Sequence, residues 1–166
     1  MVKLVVARCA VLSALLALTF STAKAASGTV VPIRSHVEFT TFYVGIAMAG
    51  APVEEYLLDT GSGYMTITSR TLSHLKKAGT ATYLRELDGQ MADGSVIRVP
   101  VYLIDRMTIG ESCQLRGIEA AVMPGSSRGL LGLSALRMLS PFELSTDPPR
   151  LRLSNCSSTP LASPRR

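Results

Sequence analysis

Two histidines, His36 and His74, are all the imidazole this chain of 166 residues contains. A serine triad therefore has few candidates. No G-x-S-x-G string occurs, and the nearest one, "GLSAL" around Ser134, lacks the second glycine and reads better as a helix cap. Zinc sites draw their ligands from short spacings. Two histidines and three scattered cysteines do not supply them, so no metal is expected. Phosphate-cradling loops and dinucleotide fingerprints are missing as well, and no cofactor is expected. Aromatic residues make up only 5% of the chain, and no Lys/Arg run interleaves with them, so nucleic acid is not an expected partner. Long apolar runs are also scarce. The most prominent, "CAVLSALLAL" from Cys9 to Leu18, is short for a membrane span.

That run has a setting. Lys3 and Arg8 precede it, and Ala23-Lys24-Ala25 follows as an A-x-A site, so residues 1–25 read as a signal peptide cut after Ala25. The expected destination is the periplasm or the cell exterior. An uncleaved anchor beginning nearer Val2 is the alternative, and only then would a membrane be a partner. The leader holds Lys3, Arg8 and Lys24 and no acidic residue, so the formal charge of +5 drops to +2 in the mature chain. Much of the basic character is thus a targeting feature.

Cys9 leaves with the leader, so Cys113 and Cys156 remain. In an oxidising compartment a lone pair suggests a disulfide, narrowly favoured over two unlinked thiols because one pair offers no spacing pattern to check.

The mature chain reads as many short strands. "VVPIRSHVEFTTFYVGIAMAG" is rich in β-formers with Gly45 and Gly50 as breakers, and "APVEEYLLDTG" and "YMTITS" follow. "SRTLSHLKKAG" is helix-like, with Ser69 as its expected cap, Leu72 and Leu75 on one face and Gly79 at its end. Two strand-like runs flank Ala92-Asp93-Gly94-Ser95, a hairpin signal because Asp and Gly both tolerate positive φ. A strand pair is expected around "QLRGIEAAVMPG". "RGLLGLSALRMLSPFEL" then holds a strand stopped by Gly132 and a helix capped by Ser134 and closed by Pro141. "PRLRLSNC" alternates as a last strand. The sum is an all-β closed barrel or sandwich with one or two short helices, a single domain over residues 26–156, and a disordered tail at 157–166.

One stretch demands an explanation. In "LLDTGSGYMTI", Asp59 ends an apolar run and is followed by Thr60, Gly61 and Ser62. Acidic side chains are rarely buried without a partner. An aspartate at a strand end often just accepts backbone N–H bonds, and a short string is weak evidence by itself. Gly61, however, lets backbone approach backbone closely. Such an arrangement suits two carboxylates that share a proton. Like charges at contact cannot both ionise, so one acts as general base on water while the other donates to a carbonyl oxygen. The chain holds no second copy of the pattern. Asp88 and Asp93 sit in a polar hairpin, Asp105 precedes Arg106, and Asp147 precedes two prolines. The economical counterpart is Asp59 of a second copy across a two-fold axis.

Here the sequence resembles the single-lobed, retropepsin-like aspartic proteases of clan AA. Leu57-Leu58-Asp59-Thr60-Gly61-Ser62 is similar to their catalytic signature, and "GLLGLSALRML" to their second signature. "MADGSVIRVPVYLIDRMTIG" is similar to their flap hairpin and the strand that follows. The resemblance spans about residues 35 to 155 and is nearest to secreted or membrane-anchored bacterial members. It implies a closed acid-protease barrel with Asp59 as catalytic half-dyad. It also implies that Thr60 braces the pair by a hydroxyl hydrogen bond, Gly61 and Ser62 shape the loop, and Leu130, Leu131 and Gly132 pack beside it. Met91, Ala92, Asp93, Gly94 and Ser95 would form the mobile flap tip that excludes water. The carboxylate splitting is the one known for aspartic proteases.

The expected function is that of a homodimeric aspartic endopeptidase, active at acid to mildly acid pH on peptide or protein substrates. An extended peptide would add as a strand between flap and dyad, with Met91, Val96 and Ile97 favouring apolar side chains. The alternative is a non-catalytic peptide-binding or assembly module on the same scaffold.

Overall fold

Val44, Ile46 and Met48 are buried while Tyr43, Gly45 and Ala47 between them are only partly so, the two-residue period of a strand with one face on a core. They belong to β3 (Thr41–Met48) of a computed structural model that describes residues 28–36 and 40–157. The expected signal peptide, most of the expected C-terminal tail and residues 37–39 lie outside the described residues. Around β3 lie β1 (Thr29–Pro32), β2 (Arg34–His36), β4 (Glu54–Leu58) and β5 (Met65–Thr68). Helix α1 (Ser69–Ala78) follows, then β6 (Ala81–Gln90), β7 (Val96–Ile109), β8 (Cys113–Met123) and β9 (Leu130–Leu131). Helix α2 (Leu133–Leu136), a 3-10 turn (Arg137–Leu139), β10 (Phe142–Thr146) and β11 (Pro149–Leu153) are the last elements among the described residues. The protein is mostly strand with short helices, as its sequence predicts.

Eight strands form one sheet in the order β2-β3-β4-β9-β5-β8-β7-β6, and a further pairing of β3 with β7 joins the sheet back onto itself. Six strands, β3-β4-β9-β5-β8-β7, therefore make a ring, which leaves no free edges among them. Its interior is the core: Ile46, Met65, Ile67, Ile104, Met107, Ile109, Ile118 and Leu131 are at most 1% exposed. A smaller sheet, β1-β11-β10, packs Val31, Leu151 and Leu153 onto the same core.

Register partners in a sheet share a face. One row of partners crosses seven strands: Tyr43, Leu57, Leu130, Thr66, Ala121, Val101 and Arg85. Tyr56, one residue before Leu57, is 1% exposed in the interior, so the row lies on the outer face. Asp59 lies two residues beyond Leu57, just past the end of β4.

Several local expectations are corrected. Helix α1 is capped by Thr68, not Ser69: Thr68 is extended (φ −81°, ψ 160°) and its hydroxyl accepts from the Thr71 N–H at 3.1 Å. Gly79 ends the helix at φ +69°, as expected. The strand pair expected around "QLRGIEAAVMPG" is one strand, β8, interrupted only by Gly117 at φ +64°. Gly45 does not break β3; it lies within it.

Cys113 and Cys156 form a disulfide that ties the end of the small sheet to β8, beside the bond from the Ser157 N–H to the Gln114 carbonyl at 3.1 Å. The closed loop spans 43 residues, and the chain-entropy model assigns such a link up to about 4 kcal/mol. The double replacement Cys113→Ser with Cys156→Ser is expected to lower the urea midpoint and to raise the m-value, because the denatured chain freed of the link is less compact. A reducing agent should reproduce the shift in the parent chain and do nothing to the variant.

Candidate active site

The Asp59 loop is held by a strand of two residues. β9 runs parallel to β4 on one side, with Leu57 opposite Leu130 and Leu58 opposite Leu131, and antiparallel to β5 on the other. Backbone bonds close the arrangement: the Leu57 N–H donates to the Gly129 carbonyl at 3.1 Å, and the Asp59 N–H to the Leu131 carbonyl at 3.2 Å. The Leu133 N–H donates to the Ser62 carbonyl at 2.8 Å, fastening the far end of the loop to the start of α2. Two glycines permit this closeness. A Cβ on Gly132 would lie 2.1 Å from the Tyr64 carbonyl oxygen and 2.9 Å from that of Ser62. One on Gly129 would strike the Tyr56 ring at 2.1 Å.

Asp59 is half-buried. Its Oδ1 accepts the Gly61 N–H at 2.9 Å, and among the described residues no donor reaches Oδ2. Thr60 and Gly61 beside it are exposed. Ser62 is turned away, its hydroxyl donating to the Tyr64 carbonyl at 2.7 Å. The other aspartates are occupied or lie elsewhere: Asp88 pairs with Arg98, Asp93 bonds Ser95, Asp105 is exposed on β7, and Asp147 is in the β10–β11 turn. Leu130, Leu131 and Gly132 are thus brought against the Asp59 loop.

Ser134, expected as the cap of α2, has another role. Gly132 occupies the cap position, and the Ser134 hydroxyl accepts the Met65 N–H at 2.8 Å and donates to the Glu119 carbonyl at 3.1 Å. It joins three chain segments beneath the loop.

Met91–Ser95 form the tip of the long β6–β7 hairpin. The Met91 N–H donates to the Ser95 carbonyl at 2.8 Å and the Gly94 N–H to the Met91 carbonyl at 2.9 Å. Of the Asp-Gly pair only Gly94 has positive φ, +84°. Asp93 instead accepts from the Ser95 N–H and hydroxyl, which hold its carboxyl below the usual range. Lower on the stem, Arg98 donates twice to Asp88, holding that carboxyl down as well. Both groups are exposed, so the pair adds little to stability. Gly94→Ala places a side chain in left-handed backbone at a strain of about 1–2 kcal/mol, and is expected to alter the tip while leaving the barrel folded. A small change in melting temperature with broadened backbone resonances confined to residues 91–95 would be the observation.

Met91, Val96 and Ile97 do not line one wall. Neighbouring residues of a strand face opposite ways, so Val96 stays 66% exposed while Ile97 turns onto a small apolar cluster of Val99, Val101 and Ala121. Tyr64, Leu87 and Met123 pack on that cluster too.

A family model described as aspartyl protease matches residues 44–135, more than half of the chain, and the chain belongs to that family. Its fold is retropepsin-like. It is similar to the crystal structure of a retropepsin-like aspartic protease from Rickettsia conorii, with a TM-score of 0.53 and 18% identity over 75% of this chain and 89% of that one. No curated protein matches the sequence.

Proposed function

We propose that this chain is an aspartic endopeptidase whose working centre forms when two copies bring their Asp59 carboxylates together. The observation that carries the reading is the half-buried Asp59 on a rigid three-strand support, with Oδ1 held by the Gly61 N–H and Oδ2 unbonded among the described residues. In the paired state the ionised carboxylate takes a proton from water as it attacks the scissile carbonyl. The protonated one donates to the carbonyl oxygen as charge gathers there. The tetrahedral centre then breaks its C–N bond as the amine receives a proton from the dyad. Thr60, exposed beside Asp59, braces the pair through its hydroxyl. Gly61 keeps the loop tight, and Leu130, Leu131 and Gly132 fix its path. The Met91–Ser95 hairpin tip closes over an extended peptide and excludes water. The Cys113–Cys156 disulfide supports an oxidising compartment, periplasmic or extracellular.

A peptide-library cleavage assay run as a dilution series, with and without pepstatin, tests the reading. Specific activity should fall on dilution as dimers dissociate, and pepstatin should inhibit it. Activity per chain that is constant at dilutions where sedimentation shows only monomer excludes the shared dyad, and peptide binding without any cleavage favours a binding module.

A further inference from the structure

The outer face carries a polar device that the aspartate chemistry does not use. Tyr64 lies five residues after Asp59 and directly before β5, whose pairing of Met65 with Ala120 sets it beside Glu119. Arg85 on β6 donates to Glu119 through both terminal nitrogens, at 2.6 and 3.3 Å, and its Nη2 also reaches the Tyr64 hydroxyl at 3.0 Å. A guanidinium has no acceptor, so the direction of that bond is fixed: the phenol oxygen accepts and its own hydrogen remains to be given. Among the described residues nothing takes it. Beneath the ring lie Val99, Val101 and Ala121, at most 3% exposed. A bond from a cation also makes the phenol a stronger donor. The hydrogen bonds from Arg85 hold the Glu119 carboxyl below its usual range, so the clamp stays charged into mildly acid conditions.

We propose that Tyr64 is a substrate-binding residue, donating its hydroxyl hydrogen to an acceptor oxygen of a peptide bound on the outer face, where half-buried Tyr64, Leu87, Ile97 and Met123 cover this cluster. The proposal rests on the endopeptidase reading and names a specificity element of that site. The acceptor chemistry is a carbonyl oxygen, supplied either by an Asn or Gln side chain beside Tyr64 or by the peptide backbone. Arg85 and Glu119 act through Tyr64 as positioning residues.

Binding separates this from catalysis. The full chain carrying Asp59→Asn is titrated with a positional-scanning peptide library, alone and with Tyr64→Phe, which keeps the ring packing. If a side chain supplies the oxygen, the parent background prefers Asn or Gln over Leu at one position by about tenfold, and Tyr64→Phe erases only that preference. If the backbone supplies it, Tyr64→Phe weakens all peptides about tenfold alike. An unchanged profile in Tyr64→Phe, or no peptide binding in either background, overturns the proposal. Tyr64-dependent binding by a chain that never cleaves would sink the endopeptidase reading and leave this one standing. Cleavage by the parent chain with a profile indifferent to Tyr64→Phe would do the reverse.

Discussion

Asp59→Asn is expected to abolish peptide cleavage and leave the protein folded. In a symmetric pair one substitution removes both carboxylates, the base that activates water and the acid that protonates the carbonyl oxygen. Each such role contributes about 10²–10⁴-fold, so the loss of both lowers kcat by about 10⁴-fold or more. The fold should tolerate the change. The side-chain amide oxygen can still accept the Gly61 N–H, and the group is half-buried at the surface. Circular dichroism and the melting temperature should stay near parental values while cleavage disappears. Mixing gives a sharper test. If parent and variant chains pair at random in equal amounts, about a quarter of the dimers are parental, and activity per parental chain falls by about half. Activity that stays proportional to parental chain shows a monomeric catalyst instead.

Gly132→Ala should damage both fold and site. The added methyl would meet the Tyr64 carbonyl oxygen at 2.1 Å, its carbon at 2.6 Å and the Ser62 carbonyl oxygen at 2.9 Å. All three are backbone atoms, which cannot rotate away as a side-chain end can. Backbone conformation is not the obstacle, because Gly132 has φ −94°, open to any residue. Overpacking costs about 1–3 kcal/mol where neighbours can shift, and about 3 kcal/mol or more is expected against this rigid wall. Urea denaturation measures it. Relief requires the Ser62–Tyr64 backbone to move, and the Asp59 loop with it. A displacement of about 1 Å lowers turnover about 10²-fold in the molecules that stay folded. A variant as stable and as active as the parent would falsify the tight packing assigned to this loop.

The places where sequence and structure agree are those governed by neighbours along the chain. Asp93-Gly94 marks a hairpin tip because Gly94 supplies positive φ locally. Gly79 ends α1 for the same reason. The strand at Tyr56–Leu58 and the glycine two residues after Asp59 are legible as a motif, and the Gly61 N–H bonds Asp59 across only that separation. The cap of α1 falls one residue before the expected Ser69 because Thr68 and Ser69 carry equivalent hydroxyls, and only backbone dihedrals decide which one faces Thr71. Ser134 departs from the expected cap for a different reason. Its partners, Met65 and Glu119, are 69 and 15 residues away, and no local pattern points to them. Tyr64 likewise reads as an ordinary strand residue in the sequence, since Arg85 is 21 residues distant from it and Glu119 a further 34 from Arg85.

By itself, then, the chain dictates its strands, its turns and the tight Asp59 loop, because alternation, positive φ and close backbone approach act over a few bonds. Which strands stand side by side was left to the folded ring: β9 slipped between β4 and β5, and β3 met β7 to close it. That choice put Gly132 against the Tyr64 and Ser62 carbonyls and set Tyr64, Arg85 and Glu119 together on the outer face. A period of two tells which residues of one strand share a side, but it carries no information about the identity of the neighbouring strand.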